Sequence, residues 1–199
     1  MKKAIFILSV LTLSIFTTAC INNLAVQELN NKAMEYMKKG DYENAISRLK
    51  SSVDLDGTIF ESQYNLAVAY TENEDYEEAA LAFEKAEELN PKSPNLYYSK
   101  AIMYENYAKD LYAGNTKKQK ELLEESKDES VDESDLEDSE YKPSESELED
   151  VKKYYAESVD AYSKYMELSS DSESVSEVRN KISEITEKLQ SLDSGVDTN

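Results

Sequence analysis

The chain has no histidine, no tryptophan and a single cysteine in 199 residues. Lacking histidine, it lacks the commonest general base and the commonest metal ligand at neutral pH. One cysteine, Cys20, excludes a disulfide within the chain. Glycine and proline are sparse, four and three residues, and no glycine-rich loop is present to cradle a phosphate. Basic charge is in deficit: 22 Lys and Arg face 42 Asp and Glu, a net of −20. This argues against nucleic acid, whose phosphates need a basic face, and against anionic lipid held by a basic patch. Paired carboxylates abound, but in so acidic a chain a pair singles out no catalyst. What is plentiful, Ala, Glu and Lys above all, favours helix over sheet.

Long apolar runs are nearly absent as well. The exception is Ala4 to Phe16, 13 uncharged and mostly apolar residues behind Lys2 and Lys3. A transmembrane helix needs roughly 20 apolar residues, so the run is short for a span. A charged start, an apolar run and the small Thr17-Thr18-Ala19 have the plan of a secretory signal peptide. Cys20 directly after Ala19 resembles the lipobox of bacterial lipoproteins, with Thr17 where Leu is commonest. That resemblance implies diacylglycerol on the Cys20 thiol, cleavage before it, and acylation of the new amine. Two or three acyl chains anchor firmly where one holds only marginally. Ile21, not Asp, follows. The expected location is the periplasmic face of the outer membrane, or the outer face of the cell membrane in a one-membrane bacterium. Loss of Lys2 and Lys3 with the leader takes the net charge from −20 to −22.

The rest of the chain repeats itself every 34 residues. Ala33 and Tyr36 recur as Ala67 and Tyr70, then as Ala101 and Tyr104. Tyr42, Ala45, Leu49 and Leu55 recur as Tyr76, Ala79, Phe83 and Leu89. A fixed period of this length implies stacked helical hairpins, each too small to bury its apolar face alone. The first hairpin is read over residues 27–39 and 42–54, with Gly40 free to take a left-handed helix end. The second opens at Thr58, which with Glu61 has the capping-box spacing, and closes at Asn90-Pro91. The third opens with Ser93 as cap and Pro94 in the first turn.

An acidic insertion then interrupts the pattern: 14 acids and two Lys between Glu124 and Asp150. So few apolar groups cannot offset chain ordering, and like charges repel. Residues 127–142 are therefore expected to be a disordered loop, with 117–126 a frayed helix. The run reads as a solvated spacer or as bait for a basic partner. Ser144 and Glu147 make another capping box. In the helix that follows, Tyr155, Ser158, Tyr162, Tyr165 and Leu168 echo the spacing of Tyr76, Ala79, Phe83, Ala86 and Leu89. A last amphipathic helix, 173–192, has the charged outer face of a solenoid cap.

This pattern resembles the tetratricopeptide repeat. The second hairpin matches best, at Leu66, Ala67, Tyr70, Ala79, Phe83, Ala86 and Pro91. The first has Lys32 for the expected Leu and Gly57 for the Pro, and the third has Lys100 for the Leu. The expectation is an all-α solenoid of about three hairpins plus a capping helix. Its parts are a leader (1–19), lipidated Cys20 and spacer (20–26), and repeats (27–115). The acidic insertion (116–143), the displaced second helix of repeat three with its cap (144–192) and a tail (193–199) complete it. The resemblance implies a concave groove lined by first helices, here Asn30, Met34, Tyr64, Val68, Tyr98 and Ile102. Such a strip suits a helix or extended peptide, or it merely packs on neighbouring helices. The Lys and Asn arrangement that clamps C-terminal carboxylates in some members is absent, since Asn30 and Met34 hold two of its places.

The expected activity is a non-enzymatic adaptor in the cell envelope, bound to a protein or peptide and to a membrane through lipid. An assembly factor for envelope complexes and, less favoured, a carboxylate-dependent hydrolase are the alternatives. No catalytic residue, metal, cofactor or small-molecule substrate is expected.

Overall fold

The computed structural model describes residues 23–127 and 141–194, and every regular element among them is a helix. The first helix, α1, covers residues 23–37 of the described chain. Then follow α2 (Tyr42–Leu55), α3 (Phe60–Glu72), α4 (Tyr76–Leu89), α5 (Pro94–Ala113), α6 (Lys117–Lys127), α7 (Glu145–Leu168) and α8 (Ser172–Ser194). Consecutive helices pack as antiparallel pairs: α2 with α3, α3 with α4, α4 with α5, and α7 with α8. The most extensive pairing joins α5 to α7, across the insertion. Thus α7 is the second helix of the third hairpin, displaced along the chain.

The 34-residue period survives as equivalent packing. Ala33, Ala67 and Ala101 are fully buried, and so are Ala45 and Ala79. Small side chains at these places let facing helices approach closely. The large residues beside them, Leu49, Phe83 and Tyr162, are also completely covered. At the place of Ala45 and Ala79, α7 carries Ser158, whose Oγ donates to the Ala101 carbonyl at 2.9 Å. The polar atom is thereby satisfied inside the core. Tyr36, Tyr70 and Tyr104 all lie against this one core.

Turns repeat as faithfully as the core. The Asp41 amide donates to the Tyr36 carbonyl at 3.0 Å, and the Asp75 amide to the Tyr70 carbonyl at 2.9 Å. Asp41 and Asp75 then sit at the starts of α2 and α4 with nearly identical backbone angles. In the third hairpin the same bond reappears from Asn115 to Asp110 at 2.7 Å. There α5 runs 20 residues where α3 runs 13, and α7 runs 24 where α4 runs 14. The last hairpin therefore stands taller, and α6 lies in the step beside the α3–α4 turn.

Two caps form as expected. Ser93 Oγ accepts from the Leu96 amide at 3.4 Å behind Pro94. Ser144 and Glu147 close a reciprocal capping box. The Thr58–Glu61 box does not form: α3 starts one residue after Ile59, which offers no side chain to cap it. Thr58 instead turns back, its amide and hydroxyl both donating to Asp56 Oδ1 at 2.9 and 2.6 Å. Asp56 outcompetes the helix because its carboxylate closes a shorter local ring.

Two expected boundaries are corrected. Residues 23–26, read as part of a spacer, are helical, and Val26 is buried. Residues 117–127, placed within a disordered insertion, form α6, and Tyr141 is docked on Gly114. Residues 1–22, 128–140 and 195–199, with the leader, Cys20, most of the acidic run and most of the tail, lie outside the described residues.

Candidate partner-binding groove

The first helices place a recess of about 630 Å3 between α1 and α3. Asn30 and Met34 both line it, together with Asn31, Ile59, Phe60 and Asn65. Only one charged side chain, Glu61, reaches the lining. In a chain of net charge −20 this is a neutral strip, amide-rich at one end and apolar at the other.

Asn30 is committed inward. Its Nδ2 lies 2.8 Å from both Ser52 Oγ and Ser62 Oγ and 2.9 Å from the Val26 carbonyl. The two serine hydroxyls are 2.9 Å apart. Asn65 Nδ2 closes the knot by donating to Asn30 Oδ1 at 3.3 Å. Four side chains from α1, α2 and α3 thus satisfy one another, which ties three helices at one depth. Met34, by contrast, is 39% exposed. Nothing in the period announces the knot, because Ser52 and Ser62 have Ala86 and Leu96 at their repeat-equivalent places.

Farther along, the first-helix residues turn toward packing. Tyr64 stacks on Phe60 at 5.7 Å, meets Phe83 edge-on at 6.4 Å, and bonds Ser99 Oγ at 2.9 Å. Tyr98 packs its ring on Tyr162 and Tyr165 at 5.8 and 5.3 Å. Val68 and Ile102 are half-buried against the same core. The structure therefore gathers Asn30 and Met34 into one recess and sets the other four along the inter-hairpin seam.

Carboxylates are arranged for stability. Glu105 is the buried acid among the described residues, 8% exposed. Burial raises its pKa, but hydrogen bonds from Lys109 and Tyr162 and the charges of Lys109 and Lys181 outweigh it, so the net shift is downward. Tyr162 Oη donates to Glu105 at 2.9 Å. Tyrosines stack in a ladder: Tyr76 on Tyr107 at 4.8 Å, Tyr107 on Tyr154 at 4.2 Å, and Tyr154 on Tyr104 at 6.0 Å. Burial, then nearby carboxylates, push the Tyr104 hydroxyl up to about 12. These phenols stay neutral at physiological pH and act as packing and hydrogen-bond donors. No three metal-ligating side chains converge among the described residues.

Stacked two-helix units with recurrent small–large packing and a lined inner face are what the repeat family builds. The tetratricopeptide-repeat family profile matches residues 30–94. The chain carries tetratricopeptide repeats. The match takes in the first two hairpins and stops where α5 begins. Beyond it, the longer α5 and the insertion before α7 break the 34-residue period that defines the family. No curated protein matches the chain. Among solved structures, a Bacteroides ovatus ATCC 8483 protein, described provisionally as protein-binding, is similar at 16% identity. The alignment covers 82% of this chain and 98% of that one, with a TM-score of 0.21, too low to carry an argument. The repeats themselves support a role in protein–protein interaction.

Proposed function

We propose that this protein is a non-enzymatic adaptor that holds a partner protein in the α1–α3 recess while a lipid on Cys20 tethers it to a membrane. The observation that carries the reading is the recess itself. It is open, nearly uncharged, and lined by Met34 and by carboxamides such as Asn31 that have no partner within the chain. Carboxamides donate and accept, which suits the backbone of an extended segment, while Met34 and Phe60 offer apolar contact. The buried carboxylate is Glu105, already held by Lys109 and Tyr162, and this disfavours a carboxylate-dependent hydrolase.

The tether reading rests on the leader and on Cys20. No described helix is long and apolar enough to cross a membrane. Asn23, at the mouth of the recess, is three positions from Cys20, so a lipid there would hold the recess close to the membrane surface. An adaptor so placed would serve assembly of a larger envelope complex.

A photo-crosslinking residue at Met34, compared with one at Leu81 on the outer face of α4, tests the groove. Leu81 is 63% exposed and makes a fair control. The adaptor reading expects a discrete adduct from position 34 and none from 81. Equal labelling from both would remove the recess as the site. For the tether, Cys20→Ser should move the protein from the membrane fraction to the soluble one, and unchanged fractionation would refute lipidation.

A further inference from the structure

The α3–α4 turn is an acidic rim already occupied by two of the chain's own lysines. Lys117 Nζ lies 2.6 Å from Asp75 Oδ1, and Lys120 Nζ lies 3.2 Å from Glu74 Oε2. The two lysines are three apart on α6 and so share one helix face. Their partners are adjacent in the turn. Behind the rim is a cavity of about 290 Å3 into which Glu72, Glu74, Asp110 and Tyr76 project. Lys109 is the one base in that lining, and it is paired with Glu105. The rim and its cavity thus have more negative charge than the chain itself neutralises.

Little else holds α6 in place. Of its side chains, Gln119 is buried and Leu122 is 56% exposed. Both ion pairs are open to solvent, with Lys117 and Lys120 side chains 44% and 51% exposed. Exposed pairs contribute little and weaken further with salt. The start of α6, in contrast, is fastened separately. Gln119 Nε2 donates to the Leu111 carbonyl at 3.2 Å, to Tyr141 Oη at 2.7 Å and to Glu147 Oε1 at 2.9 Å. This staple joins the two ends of the insertion, so α6 can leave the rim without disturbing the pairing of α5 with α7.

We propose that α6 is a displaceable latch: it covers, in cis, an acidic rim that accepts a lysine-bearing helical segment of a partner, with lysines spaced three residues apart. The occupant's chemistry is read from what the rim now holds, two ammonium groups at that spacing on adjacent carboxylates. The site is separate from the α1–α3 recess, and its test is independent of that reading.

The probe is a fluorescent peptide with the sequence of residues 117–127, titrated into the full chain and into the variant Lys117→Ala with Lys120→Ala. Both lysines are solvent-exposed, so the variant keeps its fold, which circular dichroism verifies. With the latch unpinned, the peptide should bind about three- to tenfold tighter than to the native chain, the worth of two exposed ion pairs. Glu74→Gln with Asp75→Asn should abolish that binding, and high salt should weaken it. Hydrogen exchange of the α6 amides should be faster in the lysine variant. Equal peptide affinity for native and variant chains, or equal exchange, overturns the latch. Self-association of the native chain that disappears in the lysine variant would assign α6 to a second copy and also overturn it.

Discussion

Gly40 and Glu74 stand 34 residues apart and hold the same left-handed backbone, with φ of 72° and 60°. Each sits one residue before the aspartate that opens the hairpin's second helix. For glycine this geometry is free of strain; a side chain there brings its Cβ against the backbone and costs about 1–2 kcal/mol. A Cβ on Gly40 would meet nothing within 4 Å. Gly40→Ala should therefore report the backbone term alone, a loss of about 1 kcal/mol. Glu74→Gly should gain a similar amount, reduced by the extra freedom of the unfolded chain. Thermal melts of the two variants check this; equal signs would show that the two turns are not equivalent.

Gly114 repeats the conformation in the third hairpin, with φ 71°, but its surroundings differ. A Cβ there would lie 2.6 Å from Tyr141 Cγ. Gly114→Ala should therefore exceed the loss at Gly40, reaching about 2–4 kcal/mol when strain and overpacking combine. Adding Tyr141→Ala removes the clash. The double variant should recover part of the loss seen in Gly114→Ala, measured by denaturant unfolding. No recovery would mean that the ring does not rest on Gly114.

These two turns show how far the sequence could be read. Gly40 was visible as a helix end because its neighbours kept the period. Gly114 marked the end of α5, but nothing local told that the helix before it would run past the repeat length. Tyr141 was assigned to a disordered loop because composition averages over a window. It docks because one ring finds the bare face of a glycine and the Gln119–Glu147 pair beside it. Glu147 shows the strength of that corner: the Ser144 amide, then the Tyr141 hydroxyl, hold its carboxyl down at about 2. The Asn30 knot was hidden for another reason. Its partners come from three helices, and only the stacking brings them together.

Ala67 tests the packing rule itself. It is fully buried where α3 meets its neighbours, and its equivalents Ala33 and Ala101 are too. Leucine at this place adds three carbons to a contact that has no room. Ala67→Leu should cost about 1–3 kcal/mol through overpacking. Ala80→Leu, on the partly exposed side of α4, should cost much less. Comparable melting temperatures for the two variants would contradict the close approach.

Glu105 gives the chain a pH-dependent tie between α5, α7 and α8. Its folded pKa is depressed, because the hydrogen bonds from Lys109 and Tyr162 and the charges of Lys109 and Lys181 together outweigh the effect of burial. A carboxyl held down in the folded state stabilises at pH above its unfolded value, near 4.5, and that contribution is lost as pH falls through the folded value. Glu105→Gln removes the charge but keeps an acceptor for the Tyr162 hydroxyl. At neutral pH the loss should be about 1–3 kcal/mol, in the range for a hydrogen bond to a charged group. Below the folded pKa the native carboxyl is protonated too, so the two proteins should converge. Unfolding followed from neutral to acid pH therefore should show a smaller stability loss in the variant. A constant gap between them across that range would mean the Glu105 charge is not what joins the last hairpin to its cap.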